Sequence, residues 1–160
     1  MNENQELIET FYSAFQQKDY ATMASCYHDD IHFSDPAFTN LHGNQAKAMW
    51  HMLCERGKDL TLTYSNVQAD ASSGQAHWEA TYTFSASNRK VHNIIDAQFK
   101  FQDGKIIRHQ DTFGLWRWTK MALGPVGTLL GWSSLIQNKV RTTAMVGLNK
   151  FIETHPEYHG

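Results

Sequence analysis

Hydrophobic and polar positions alternate most cleanly between Arg89 and Trp118, where the pattern predicts two long antiparallel strands joined at Asp103-Gly104. Glycine accepts positive φ without steric cost, which a two-residue hairpin turn requires. In the second strand Ile107, His109, Asp111 and Phe113 share one face, and Ile106, Arg108, Gln110 and Thr112 share the other. In the first strand Val91, Asn93, Ile95, Ala97, Phe99 and Phe101 form the more apolar face. An imidazole and a carboxylate are costly to bury, so their presence on an apolar face marks a candidate site.

Upstream the period changes to that of a helix. Leu7, Ile8, Phe11, Tyr12 and Phe15 make one stripe within residues 4–17. Asp19 is placed to cap a second short helix carrying Tyr20, Met23, Ala24 and Tyr27, and His28-Asp29-Asp30 reads as a polar turn. Ile31 to Pro36 reads as a short strand with Ile31, Phe33 and Asp35 on one side. Pro36 cannot donate a ladder hydrogen bond and ends it. A third helix is predicted over 44–56, with Ala46, Met49, Trp50, Leu53 and Cys54 on one face and Gly57 as its stop. Leu60, Leu62 and Tyr64 alternate as a strand, and Val67, out of phase, predicts a bulge or the strand's end. In the strand over 75–85 Trp78, Ala80, Tyr82 and Phe84 are the apolar face, with His77 and Glu79 opposite.

This order predicts an α+β fold, a curved antiparallel sheet with N-terminal helices on its concave face. Residues 1–114 form that unit. Residues 115–160 form a C-terminal helical extension, with helices over 115–123, 126–137 and 138–154. The extension is too apolar for a solvated linker and is expected to pack on the domain or on a partner subunit. A lid or dimer contact is preferred to a membrane-surface helix, because its basic residues are not clustered along the chain.

Composition narrows the classes. The chain has 160 residues, the size of one ordinary domain. Its 14 basic and 16 acidic residues, with no basic stripe among aromatics, argue against a nucleic-acid partner, and none is expected. The apolar runs are too short for a bilayer span, the opening residues lack a leader pattern, and Cys26 and Cys54 read as free buried thiols. A cytoplasmic protein without a membrane partner is expected.

The stretches Cys26 to Phe38 (CYHDDIHFSDPAF) and Phe99 to Phe113 (FKFQDGKIIRHQDTF) resemble the nuclear transport factor 2-like superfamily, and the likeness in element order spans roughly residues 4–118. That group includes ketosteroid isomerase, SnoaL-like polyketide cyclases and limonene epoxide hydrolase. The resemblance implies a cone with a deep pocket between helices and sheet, and a homodimer. Asp35-Pro36 looks like the Asp-Pro that supplies the isomerase's general base. The isomerase's oxyanion tyrosine falls at Phe11, and its protonated aspartate falls at Ala97, beside Asp96. Asp111 resembles a catalytic aspartate of the epoxide hydrolase, and His77-Trp78-Glu79 stands nearest to that enzyme's Arg-x-Asp pair. For the SnoaL-like cyclases, His109 or Asp111 would serve as the acid/base group.

The candidate catalytic residues are therefore Asp35, His109 and Asp111. Asp35 would act as a proton-abstracting base, or else would merely end a strand by accepting a backbone hydrogen bond. His109 and Asp111 would line a pocket as an acid/base pair, or would satisfy only each other. Phe11, Phe15, Tyr27, Trp50, Glu79, Asn93 and Trp116 are the candidate substrate-binding residues. Periodicity turns Glu79 outward and the epoxide hydrolase likeness turns it inward. His28, His32, Asp35, His109 and Asp111 lack any metal-ligand spacing, so neither metal nor cofactor is expected. The expected function is cofactor-independent acid/base catalysis of isomerase, cyclase or epoxide hydrolase type on a small apolar ligand. A non-catalytic binding or dimerisation module of the same fold is the alternative.

Overall fold

The structure, a computed structural model, describes residues 2–160. Helices α1 (Glu3–Gln16) and α2 (Tyr20–Ser25) come first, followed by strands β1 (Tyr27–Ser34) and β2 (Leu41–His42) and helix α3 (Asn44–Arg56). Four strands follow: β3 (Thr61–Ala69), β4 (Ser73–Phe84), β5 (Arg89–Gln102) and β6 (Lys105–Thr112). Helices α4 (Leu115–Leu123), α5 (Pro125–Leu130) and α6 (Ser134–Glu153) complete the fold, with a short 3-10 turn at Pro156–Tyr158.

Local chemistry sets most boundaries. Asn2 and Gln5 form a reciprocal capping box at the start of α1, and Asp19 caps α2 by accepting from the Thr22 amide. At the hairpin between β5 and β6 both Asp103 (φ 55°) and Gly104 (φ 74°) are left-handed, as a tight primed turn demands. The register of β3 on β4 shifts between Ser65 and Gln68, so the predicted bulge is there. Cys26 and Cys54 are separate buried thiols, each raised to about 11 by burial.

The six strands make a curved, unclosed sheet in the order β2-β1-β6-β5-β4-β3. It is antiparallel except where β1 lies parallel to β6. That pairing makes the expected curved sheet a mixed one, and it also lengthens β1. His28-Asp29-Asp30 is strand rather than turn, and Tyr27 opens β1 instead of closing α2. Pairing of Tyr27 with Ile106 and of His32 with Arg108 outweighs the turn composition, and an irregularity between them absorbs the two aspartates. A second irregularity on β6, between the Lys100–Arg108 and Phe101–Ile106 pairs, reverses the facing of Ile106, which is fully buried rather than on the polar face.

The core lies on one face of the sheet. Ile8, Phe11, Tyr12 and Phe15 of α1 and Met49 and Trp50 of α3 pack there with Ile95, Ala97 and Phe99 of β5. Leu148 and Phe151 of α6 join the same cluster, and Phe151 meets His51 of α3 edge-on at 5.0 Å between ring centres. Helix α6 starts four residues earlier than expected, because Ser133 caps it by accepting from the Ile136 amide.

Candidate active site

Strand alternation carries His109 and Asp111 inward together, His109 with no exposure and Asp111 with 4%. Phe99 stands opposite His109, and Ala97 opposite Asp111. Trp78 of β4 reaches the same point, and its Nε1 donates to Asp111 Oδ1 at 3.3 Å. His109 Nε2 lies 2.9 Å from the same oxygen, and its Nδ1 lies 2.7 Å from the Tyr27 hydroxyl. Trp50 Nε1 donates to that hydroxyl at 2.8 Å.

The chain of bonds assigns the tautomer. An ionised Asp111 carboxylate only accepts, so His109 Nε2 carries a proton and donates it to Oδ1. In the neutral ring Nδ1 is then an acceptor and takes the Tyr27 hydroxyl proton, while the Tyr27 oxygen accepts from Trp50 Nε1. Every polar atom of the imidazole is thereby satisfied within the protein. Rings close around it: Phe99 at 4.5 Å, Phe33 at 5.0 Å, Phe11 at 5.5 Å and Trp50 stacked at 5.8 Å.

Asp35 follows β1 directly. Its amide donates to the Phe38 carbonyl, and its Oδ1 accepts from the amides of Ala37 (2.7 Å) and Phe38 (2.6 Å). The strand-ending turn foreseen for Asp35 is therefore formed. Yet burial raises its carboxyl to about 7, with the charge of Asp111 adding to the rise and the two amides opposing it. The residue is half-buried, and Oδ2 accepts no hydrogen bond from the described residues. Asp111 likewise uses Oδ1 alone. Arg141 of α6 donates from Nε to the Pro36 carbonyl at 2.9 Å, clamping the turn that holds Asp35.

Two residues outside the predicted set belong to this end of the cone. The Tyr82 hydroxyl accepts from Trp118 Nε1 at 2.8 Å; burial raises its pKa, and the charge of Asp35 contributes. Tyr82 shares the apolar face of β4 with Trp78, which was the available sequence signal. Tyr12 has the only enclosed side-chain polar atom without a partner among the described residues. Its phenol is pushed well above the ordinary range by burial first and by the charge of Asp111 second.

The predicted binding residues divide. Phe11, Phe15, Tyr27 and Trp50 lie in the inner aromatic cluster. Asn93 is 6% exposed on the inner face of β5 opposite Ala80, and its amide makes no hydrogen bond with the described residues. Glu79 is outside. Strand parity prevails over likeness to the epoxide hydrolase, and its oxygens meet His77 Nε2 at 2.8 Å and His92 Nε2 at 2.9 Å on the outer face. Trp116 is also away from the site: it is 42% exposed on α4, where it donates to the Thr128 carbonyl. Two surface depressions, of about 450 Å³ beside α5 and about 300 Å³ beside the β3–β4 turn, are lined by none of these residues.

Among the residues weighed for a metal, His109 is enclosed by rings, His28 meets Asp103, and His32 lies against His42. His51, Glu55 and His155 bring ligand atoms within 4.8 Å of one another. His51 already bonds the Tyr158 hydroxyl and Glu55, so a cation would have to displace those contacts.

A curved, unclosed sheet wrapped on aromatic helices is the architecture of the nuclear transport factor 2-like class. Within that class the chain belongs to the SnoaL-like domain family, whose profile matches residues 8–109. No curated protein matches the sequence. Among solved structures, an LEH-like epoxide hydrolase of M. tuberculosis is 18% identical, covering 82% of this chain and 97% of its own, with a TM-score of 0.61. A protein of Xanthomonas campestris pv. campestris assigned as a polyketide cyclase is 17% identical over 75% of this chain and 96% of its own, with a TM-score of 0.60. An NTF2-like protein of unknown function from Burkholderia pseudomallei is 13% identical over 76% of this chain and 98% of its own, with a TM-score of 0.65. At these identities the likeness is one of fold.

Proposed function

We propose that the chain is a cofactor-independent acid–base enzyme of isomerase, cyclase or epoxide hydrolase type, acting on a small apolar substrate. Asp35 carries the reading. Its carboxyl is lifted to about 7 and keeps Oδ2 open, so at neutral pH it can take or give a proton. Asp111 is the second carboxylate, oriented by Trp78 and His109 through Oδ1. Asp35 would be the proton carrier of the pair, with Asp111 the carboxyl beside it. His109 has both nitrogens engaged, so it is a positioning residue for Asp111 rather than a proton shuttle. In isomerisation or cyclisation Asp35 would remove a proton beside a carbonyl and return it to another atom of the same molecule. In epoxide opening it would deprotonate the attacking water.

The test is a panel of epoxides, unsaturated ketones and polyketide-type carbonyl compounds, chosen partly because the similar folds include an epoxide hydrolase and an assigned polyketide cyclase. Asp35→Asn should lower kcat/KM by about 10²–10⁴ while the protein still folds. Undiminished turnover in both Asp35→Asn and Asp111→Asn would overturn the assignment. The packing around His109 favours a second reading, a binding module that kept the cone without the chemistry. It predicts saturable ligand binding, no turnover across the panel, and no effect of Asp35→Asn beyond affinity.

A further inference from the structure

Five large apolar side chains crowd the corner where α5 turns into α6. Val126 is 52% exposed, Leu129 71%, Leu130 49%, Trp132 62% and Leu135 78%. Val126, Leu129 and Leu130 are spaced to share one face of α5. That face cannot turn inward, because α5 meets α4 through Gly127 and Gly131. A Cβ on Gly127 would collide with the Thr119 carbonyl, and one on Gly131 with Thr119 Oγ1. The glycines thus fasten the helix by its small-residue side and leave the large residues in water. No helix of the described residues is long and apolar enough to cross a membrane, so the corner is a surface feature.

Charge indicates what would cover it. Residues 115–152 contain Arg117, Lys120, Lys139, Arg141 and Lys150 and no Asp or Glu. This stretch is therefore +5 in a chain of −2, leaving −7 for the remainder (−2 minus +5). Folding adds Arg89, which joins Lys120 in lining a depression with Pro125, Thr128 and Leu129. Lys120 also lies 3.9 Å over the Trp116 ring. Lys139 is one helical turn beyond Leu135 and exposed.

Apolar residues at a helical corner, indoles beside them and cations at the rim match the layered chemistry of a bilayer surface bearing anionic headgroups. A second copy seated on the same patch would oppose two cationic surfaces, which charge disfavours. We propose that α5 and the first turn of α6 dock the protein onto an anionic phospholipid bilayer. Leu129, Leu130, Trp132 and Leu135 enter the acyl boundary, while Arg89, Lys120 and Lys139 meet lipid phosphates. The extension's own sequence, which favoured a lid or dimer contact, does not include Arg89, because that residue reaches the patch only through the fold.

Flotation of the full chain with vesicles tests this. The protein should float with phosphatidylcholine vesicles doped with phosphatidylglycerol, with a blue shift of tryptophan emission, and should stay behind with phosphatidylcholine alone. Raising salt to about 0.5 M should weaken binding about tenfold. Lys120→Gln with Lys139→Gln should weaken it about fivefold per cation. Leu129→Glu with Trp132→Glu, both exposed sites, should abolish flotation without moving the thermal midpoint. Failure to float with doped vesicles, equal flotation with both kinds, or retention by the double glutamate variant would each overturn the proposal. So would a wild-type dimer that the double glutamate variant splits into monomers, since a second copy would then be the occupant.

Discussion

Two histidine–carboxylate clusters sit on opposite faces of one sheet, with bonds of like length and very different access to solvent. Inside, His109 Nε2 lies 2.9 Å from Asp111, the two side chains being 0% and 3% exposed. Outside, His77 lies 2.8 Å from both Glu79 and Asp96, and His92 lies 2.9 Å from Glu79, with exposures from 27% to 78%. The distances are alike, so hydrogen-bond length does not separate the clusters. What differs is the alternative to each bond: water replaces a partner on the outer face, whereas nothing replaces one in the aromatic interior.

The largest test of that contrast is to remove each imidazole. His109→Ala leaves a cavity and a buried carboxylate with only the longer Trp78 bond, and should cost about 3–5 kcal/mol in urea denaturation. His77→Ala should cost less than about 1 kcal/mol. Equal losses would erase the distinction. Next in size is Tyr27→Phe, which keeps the ring but strips His109 Nδ1 and Trp50 Nε1 of their partner; a loss of about 1–3 kcal/mol is expected, read from the denaturation midpoint.

Asp35 sharpens the comparison through pH. Its folded pKa, about 7, lies above its unfolded value, so the folded state holds the proton more tightly. The stability it contributes is complete below the ordinary aspartate range and is lost as pH rises to about 7. Asparagine keeps an oxygen for the two backbone amides. Asp35→Asn should therefore be neutral near pH 4 and stabilising by roughly 1–2 kcal/mol near pH 8, allowing for partial exposure.

The smallest effect belongs to the outer cluster. Bonds to Asp96 and then Glu79 raise the pKa of His77, so its contribution is present in acid and fades as pH climbs through that raised value. Bonds from His77 and then His92 lower the pKa of Glu79, so its contribution fades as pH falls through the lowered value. Their shared benefit is confined to mildly acidic pH. His77→Gln should flatten the pH dependence of the thermal midpoint there and leave it unchanged in alkali.

Much of this was legible in the chain. The Asp103-Gly104 turn, the capping of α2 by Asp19 and the span of α3 follow from local rules, because each depends on neighbours a few residues away. Strand parity placed His109 and Asp111 inward and Glu79 outward, and for Glu79 it was a better guide than likeness to another enzyme. Parity failed at Ile106, where one extra residue in β6 reverses the facing, and that irregularity is set by the partner strand. The reach of β1 back to Tyr27 was hidden for a similar reason. A parallel ladder with β6 lies 79 positions away in sequence and holds residues whose own composition favours a turn.

By itself, then, the sequence determined the periods, the caps, the hairpin and the face on which each ionisable group rides, all consequences of short-range backbone geometry. Tertiary structure decided what those groups meet. It raised the pKa of Asp35 by burying the carboxyl in a turn that Arg141 of α6 clamps, and it gave His109 Nδ1 its partner in a tyrosine that a tryptophan of α3 holds in turn. It also brought Arg89 beside Lys120 and turned the apolar corner of α5 outward. Burial and long-range pairing are properties of the packed whole, and no window of the chain contains them.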